Sequence, residues 1–179
     1  MRRSTEAGGP RSARLAFRAR PDAMPARRAT AAEVRPLRTR ILRPTWTERL
    51  ATYPEDEAPD TFHAAGFTPG SDEVHGTATI YPEAPPAERR GEIPEAAYAE
   101  GAAFRLRGMA TSDEARGTGI GRDLLMACFA HVREADGRYL WCNARIGAVG
   151  FYERMGLQTV GPEFPIEGIG PHFVMWRAL

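Results

Sequence analysis

Between a strand-like run and an apolar-periodic stretch lies Arg116-Gly117-Thr118-Gly119-Ile120-Gly121, with three glycines in five positions. This hexapeptide constrains the fold more than any other part of the chain. Glycines let the backbone turn and approach a ligand without a Cβ penalty. After it, Ile120, Leu124, Leu125, Cys128, Phe129 and Val132 repeat at helical spacing. A glycine loop opening a helix aims unsatisfied N–H groups, and the positive end of the helix dipole, at one point. That point is an anion site, and Arg116 adds charge beside it. The ligand expected there is a phosphate-bearing cofactor.

The rest of the chain places this loop late in an alternating pattern. Ala26 to Ala29 reads as a short strand, and Thr30 with Glu33 reads as a capping box. Val34, Leu37, Ile41 and Leu42 share one face of a first helix that stops before Pro44. Residues 44–60 read as a loop, with a helical turn near Thr47–Ala51. Runs at Thr61–Thr68 and Glu73–Tyr81, split by Pro69-Gly70-Ser71-Asp72, predict a hairpin. Residues 82–101, rich in proline and glutamate, read as a long surface excursion. Ala102–Thr111 alternates like a half-buried strand. Beyond the glycine loop and its helix, Asp136-Gly137 is a turn and Arg138–Asn143 a strand. A helix near 145–155 ends at Gly156, and Leu157–Val160 and Phe173–Arg177 are the last strands. The order predicts a mixed α/β sheet covered by helices.

Composition removes several chemistries. All 24 basic residues are arginine. Without lysine, neither a Walker-type phosphate loop nor a Schiff base is possible. Any phosphate must be held by backbone amides and arginine. No apolar run reaches the ~20 residues of a membrane-spanning helix. Cys128 and Cys142, with four scattered histidines, give no metal-ligand spacing, so no metal is expected. Buried, reduced thiols and a cytoplasmic location are the default.

Charge separates the ends of the chain. Residues 1–28 hold eight arginines against Glu6 and Asp22, whereas the remainder is net acidic. A basic head of this kind could bind nucleic acid or resemble a transit peptide. It lacks interleaved aromatics and periodicity, and Met24 offers a later start. The preferred division is therefore an unstructured or misassigned extension over 1–25 and one domain over 26–179, with no nucleic-acid or membrane partner.

Arg116–Gly121 resembles the Arg/Gln-x-x-Gly-x-Gly pattern by which the GNAT superfamily of acyl-CoA-dependent N-acetyltransferases binds the coenzyme A pyrophosphate. The stretch from Asn143-Ala144-Arg145 through Phe151-Tyr152-Glu153-Arg154-Met155-Gly156-Leu157 is similar to the family's downstream Asn…FYxxxGF block, with leucine in the last place. Gly168-Ile169-Gly170-Pro171-His172-Phe173 more weakly resembles the ElaA-like subgroup, with an extra glycine before proline. A dinucleotide-binding reading fits less well, since its glycines follow the first strand and an acidic residue follows them by ~20 positions.

The resemblance implies a mostly antiparallel mixed sheet, splayed at the cofactor site, with helices on both faces. It implies acetyl-CoA as cofactor and an amine of a small molecule or peptide as acceptor; a homodimer is left open. Backbone amides of Arg116, Gly117, Thr118, Gly119, Ile120 and Gly121, with Arg122, would hold the pyrophosphate. Met109, Ala110 and Thr111 would pair with the pantetheine. Tyr152 is the implied thiol-side acid, with helix packing as the alternative. Asn143 would contact cofactor or water, or cap the next helix. The base is open among His75, His172, Glu73 and waters, with His63 and His131 weaker. Arg105 and Arg107, two apart on one strand face, could hold an acceptor's carboxylate or phosphate, or form surface pairs. Trp141 and Tyr139 read as core, and Trp46 as packing or pocket lining. The competing function is a non-catalytic acyl-CoA-binding regulatory module.

Overall fold

Thr30 accepts from the Glu33 amide while the Glu33 carboxylate accepts from the Thr30 amide, and this capping box starts α1 (Ala31–Leu42). The structure, a computed structural model, describes residues 26–45 and 51–179. The basic head, Trp46 and most of the turn read at Thr47–Ala51 lie outside the described residues. Around α1 the chain runs β1 (Arg27–Ala29), β2 (Phe62–Gly66) and β3 (Gly76–Pro82). Then follow β4 (Ala103–Thr111), α2 (Ile120–Glu134), β5 (Tyr139–Arg145), α3 (Val149–Arg154), β6 (Gln158–Ile166) and β7 (Gly170–Ala178). The strands form one seven-stranded sheet, ordered β1-β2-β3-β4-β5-β7-β6. Every neighbouring pair is antiparallel except β4 and β5.

Both faces of the N-terminal half are covered, so β2 and β3 are buried along almost their whole length. Alternate residues Phe62, Ala64, Ala78 and Ile80 meet the apolar stripe of α2, while Ala65 meets Val34 of α1. Leu124, Leu125, Cys128 and Val132 are fully enclosed, each aliphatic side chain contributing about 1.5–3 kcal/mol. Tyr152 and Met155 bring α3 to the same face as α2. The 82–101 excursion is more than surface loop. Ile93 and Ala97 pack with Trp141, Val174 and Trp176 over the opposite face of the C-terminal half.

One strand pair positions the site. Parallel pairing of β4 with β5 runs from Ala103 and Tyr139 to Leu106 and Cys142, then stops although both strands continue. On its other edge β4 shifts register against β3 between Thr77 and Thr79. Three steps along β4, from Arg107 to Ala110, match two along β3, so β4 carries a bulge. Gly108 sits in it at φ 60°, a conformation that disfavours any side chain. A Cβ there would also come within 2.6 Å of Arg38 Cδ.

Arg38 fills that space, wholly buried. It donates from Nη1 to Asp56 Oδ1 at 2.9 Å, from Nη2 to Asp56 Oδ2, and from Nε to the Ala51 carbonyl at 2.8 Å. Its guanidinium stacks on Tyr53 at 4.2 Å. Burial works against the Asp56 carboxylate, but the Arg38 hydrogen bonds and charge outweigh it and hold its pKa below the usual range.

Asp56→Asn would strand the buried guanidinium, so we expect a loss of about 3–5 kcal/mol, or about 6–20 °C in Tm. The Asp56 contribution is present above the ordinary carboxylate pKa of about 3.9 and lost as pH falls through the lower folded value. Wild-type and variant melting curves should therefore converge on acidification; a gap that widens below about pH 4 contradicts the assignment.

Candidate functional site

Where β4 and β5 part, a cavity of about 210 Å³ opens between them. Tyr152, Asn143, Met109, Arg105, Arg107 and His172, which sequence reasoning singled out separately, all line it. The parting explains the gathering. Strands that no longer pair leave the β5-facing edge of β4 beyond Leu106 without a neighbouring strand. On their other edge, Ala110 and Thr111 pair with Thr77 and Gly76 of β3.

The glycine loop lies next to this cavity. Gly119 is the N-cap of α2 at φ 98°, a left-handed turn that suits glycine. No protein acceptor meets the amides of Gly117, Gly119, Ile120 and Gly121 among the described residues. Nothing lies within 4 Å of where a Gly117 side chain would stand, so the bend is open. The six-amide cradle is, however, smaller than the sequence suggested. The Arg116 amide donates to the Asp113 carbonyl at 3.2 Å, and Thr118 donates from amide and hydroxyl to the Ala115 carbonyl. The Arg116 side chain pairs with Asp113 at 2.9 Å on the surface. Arg122 occupies the first turn of α2, partly buried. A Gly121 Cβ would rest 3.6 Å from Phe151 and 3.7 Å from Met109 Cε, so loop and cavity adjoin.

Tyr152 is buried, and its hydroxyl donates to Met109 Sδ at 3.5 Å. Burial, reinforced by Cys142 and Cys128, pushes its pKa well above the ordinary phenol value, so it stays a neutral donor. Its ring also meets Phe151 edge-on at 5.2 Å; packing and polar contact therefore coexist. Asn143 does not end its strand or cap a helix, as the capping alternative required. It pairs with Val174 inside β5, and its side-chain oxygen is buried without a partner.

The four histidines separate cleanly. His172 is buried in the cavity wall, its Nδ1 2.8 Å from the Gly170 carbonyl. A carbonyl can only accept, so Nδ1 carries the proton and a neutral ring keeps its lone pair at Nε2. His75 precedes β3 rather than lying on it, and contacts the Ser112 and Ser71 hydroxyls outside the cavity. Glu73 also stands elsewhere, near Arg40 on the surface. His63 bridges Thr79 and the Asp56 carbonyl, and His131 stacks on Phe62.

Arg105 and Arg107 share the cavity wall but not as a free pair. Arg105 donates to Glu83 at 2.8 Å and lies over Trp141, while Arg107 donates to the Tyr81 hydroxyl and approaches Glu55. Burial opposes the Arg107 charge, yet Tyr81, Tyr53 and Glu55 raise its pKa overall. Trp141 is core, as read, and its indole N–H donates to the Glu83 carbonyl. Sequence reasoning missed Arg43, Tyr53 and Arg145, which also line the cavity. It also missed the Gly108 bulge, for which a glycine inside a strand was the available signal.

Both thiols are fully enclosed, and burial pushes Cys128 and Cys142 up to about 12. At pH 8 the thiolate fraction is on the order of 10⁻⁴. Iodoacetamide should therefore leave the native protein unlabelled while labelling both sites after denaturation. Rapid native labelling at Cys142 would show that the cavity wall opens.

Residues 87–176 match the family model described as an acetyltransferase (GNAT) domain. The "uncharacterized N-acetyltransferase YitI" of Bacillus subtilis (strain 168) is 34% identical over 143 residues, covering 80% of this chain and 88% of that protein. The crystal structure of Escherichia coli ElaA superposes with a TM-score of 0.60 at 16% identity, over 85% of this chain and 97% of that one. An aminoglycoside 6′-N-acetyltransferase complexed with coenzyme A gives 0.58 at 17% identity, over 83% and 89%. An acyl-CoA N-acyltransferase from Pseudomonas aeruginosa gives 0.61 at 19% identity, over 86% and 98%. At these identities the structural matches speak for the fold.

Proposed function

The chain belongs to the GNAT acetyltransferase family, and we propose that it moves the acetyl group of acetyl-CoA to an amine of a small molecule or peptide by direct attack on the thioester. One observation carries this reading. A cavity passes into the gap between β4 and β5, and acceptor-free amides at the start of α2 stand beside it. An extended chain ending in a diphosphate fits such a site, with the diphosphate on Gly117, Gly119, Ile120 and Gly121. Each helix-terminus interaction contributes only ~0.3–1 kcal/mol, so the amides must act together. The unpaired edge of β4 at Met109, Ala110 and Thr111 would take the amides of the pantetheine arm.

Bound acetyl-CoA supplies an activated acyl group on a sulfur leaving atom. The protein's tasks are to take a proton from the amine and to steady that sulfur. An alkylammonium of pKa ~10.4 costs roughly 4–5 kcal/mol to deprotonate at pH 7. His172 is the histidine in the cavity wall, and its Nε2 lone pair suits it to accept that proton, directly or through water. Tyr152 already donates to a sulfur, that of Met109, and a thiolate is a stronger acceptor than a thioether. With its pKa raised, Tyr152 works as a hydrogen-bond donor to the departing sulfur, and the net proton comes from the amine. Asn143, its carbonyl oxygen unpartnered, can accept from the cofactor or a water.

Thermal unfolding tests the cofactor half of this proposal. Coenzyme A at ~100 times Kd should add ~2.7 kcal/mol, about 5–10 °C. No shift with either coenzyme A or acetyl-CoA would sink the reading. A shift without thiol release over an amine panel would favour a non-catalytic acyl-CoA-binding module. On an active amine, Tyr152→Phe should lower kcat by about 10²-fold or more. His172→Gln should lower kcat on an active amine by about 10²-fold or more; an unchanged kcat would move the base elsewhere.

A further inference from the structure

His75 stands outside the cavity, but it is tied to the segment that carries the amides of Gly117, Gly119, Ile120 and Gly121. Its own backbone is fixed on both sides. The His75 amide donates to the Gly66 carbonyl at 2.9 Å, and its carbonyl accepts from the Ser112 amide at 2.8 Å. The imidazole then spans two hydroxyls, with Nδ1 3.0 Å from Ser112 Oγ and Nε2 3.3 Å from Ser71 Oγ. Ser71 Oγ accepts from the Glu73 amide at 3.1 Å, which leaves its proton for Nε2. In a neutral ring Nδ1–H then donates to Ser112, which is buried. Ser112 is where β4 gives way to the loop. It is the N-cap of a one-turn 3-10 helix over Asp113–Ala115, and its carbonyl accepts from the Ala115 amide at 3.1 Å. The Ala115 carbonyl in turn accepts from Thr118.

The far end of the loop is held at the neighbouring residue. Gly76 and Gly66, paired across β3 and β2, lie under the first turn of α2. A Cβ on Gly76 would run into Ile120 Cγ2 and stand 2.8 Å from Leu124 Cδ1, and one on Gly66 would stand 2.7 Å from Ile120 Cγ2. Ile120 approaches the sheet this closely because both positions lack a side chain. Residues 113–119 thus bridge two anchors on consecutive residues, Ser112 on His75 and Ile120 on Gly76. Fixing both ends restricts where the amides between them can point. Amides that are already aimed lose little freedom when an anion binds, which raises affinity.

We propose that His75 is a positioning residue for the cofactor: acting through the Ser112 hydroxyl, it holds the loop in the shape that receives the diphosphate, without touching substrate or reacting atoms. This rests on the acetyltransferase reading, because it takes the diphosphate of coenzyme A as the ligand of the loop.

Calorimetry with coenzyme A on the 179-residue chain tests the proposal. His75→Ala should raise the coenzyme A Kd about tenfold, the scale of one lost hydrogen bond. His75→Asn, whose amide N–H can stand in for Nδ1–H, should stay within about threefold of wild type. Ser112→Ala should weaken binding by about the same factor as His75→Ala. The double variant should bind no more weakly than either single one, because both substitutions remove the same link. Amide hydrogen exchange on the unliganded chain is the second readout: in His75→Ala, protection should fall over residues 112–121 and stay unchanged over β5. A general loss of stability would instead make the two substitutions additive and leave Asn no better than Ala. Such additivity, or wild-type affinity in His75→Ala, would overturn the proposal. If wild type and His75→Ala bind coenzyme A equally well, the acetyltransferase reading stands and the positioning role falls. If the wild-type chain binds no coenzyme A, both fall.

Discussion

The parting of β4 from β5 creates both the cavity and the unpaired strand edge, so the site depends on what keeps the strands apart. Left to themselves, two parallel strands would continue their ladder, since every unpaired buried N–H or C=O costs free energy. The bulge at Gly108 prevents this by turning β4 after four residue pairs. The bulge is wedged from behind. The stem of Arg38 occupies the space a Gly108 side chain would need, and Asp56 pins the Arg38 head. A buried ion pair is a weak source of stability compared with apolar packing. Its value here is positional: it ties α1, the 51–57 segment and the bend in β4 to one point.

Arginine suits that point in a way lysine would not. The planar fork makes two bonds to Asp56, a third to the Ala51 carbonyl, and still presents a face to Tyr53. Tyr53 carries Arg107 at 4.0 Å as well, so one ring lies against two guanidiniums, one structural and one in the cavity wall. Such stacks are worth roughly 0.5–2 kcal/mol according to exposure. The stack links the buried wedge mechanically to the wall of the site.

Elements with strong periodicity were legible from sequence alone: α1 from its capping box, the β2–β3 hairpin from its turn, α2 from its stripe. Arg38 was also visible in principle, because it stands four residues after Val34 on the buried face of α1. Its meaning was not, since Asp56 arrives from a loop with no pattern. β6 extends to Ile166, six residues beyond the predicted end at Val160, because it is an edge strand interrupted by a register shift and by Gly161 and Pro165. Without two-sided burial its alternation is lost. The excursion over 82–101 hid its packing role for a related reason: Ile93, Ala97 and the partly buried Tyr98 carry the contact, too few to set a period. Candidate site residues were recognisable as types, but their ion pairs with Glu83 and Glu55 depend on distant chain and could be found only in three dimensions.

Polarity along the cavity gives the proposed reaction a direction. Tyr152 and Cys142, neutral and buried, line the cavity with the partly buried Met109, an environment that favours a sulfur atom over an ammonium. Four arginines also line it, two of them ion-paired with Glu83 and Glu55. A unit charge about 8 Å away in an effective dielectric near 20 acts with about 2 kcal/mol, enough to lower an amine pKa by more than a unit. The guanidinium charges in the wall oppose the protonated form of an entering amine, and the ion pairs of Arg105 and Arg107 temper that effect. His172 lines the same cavity, and in the proposed reaction its Nε2 receives the proton that this field helps to release.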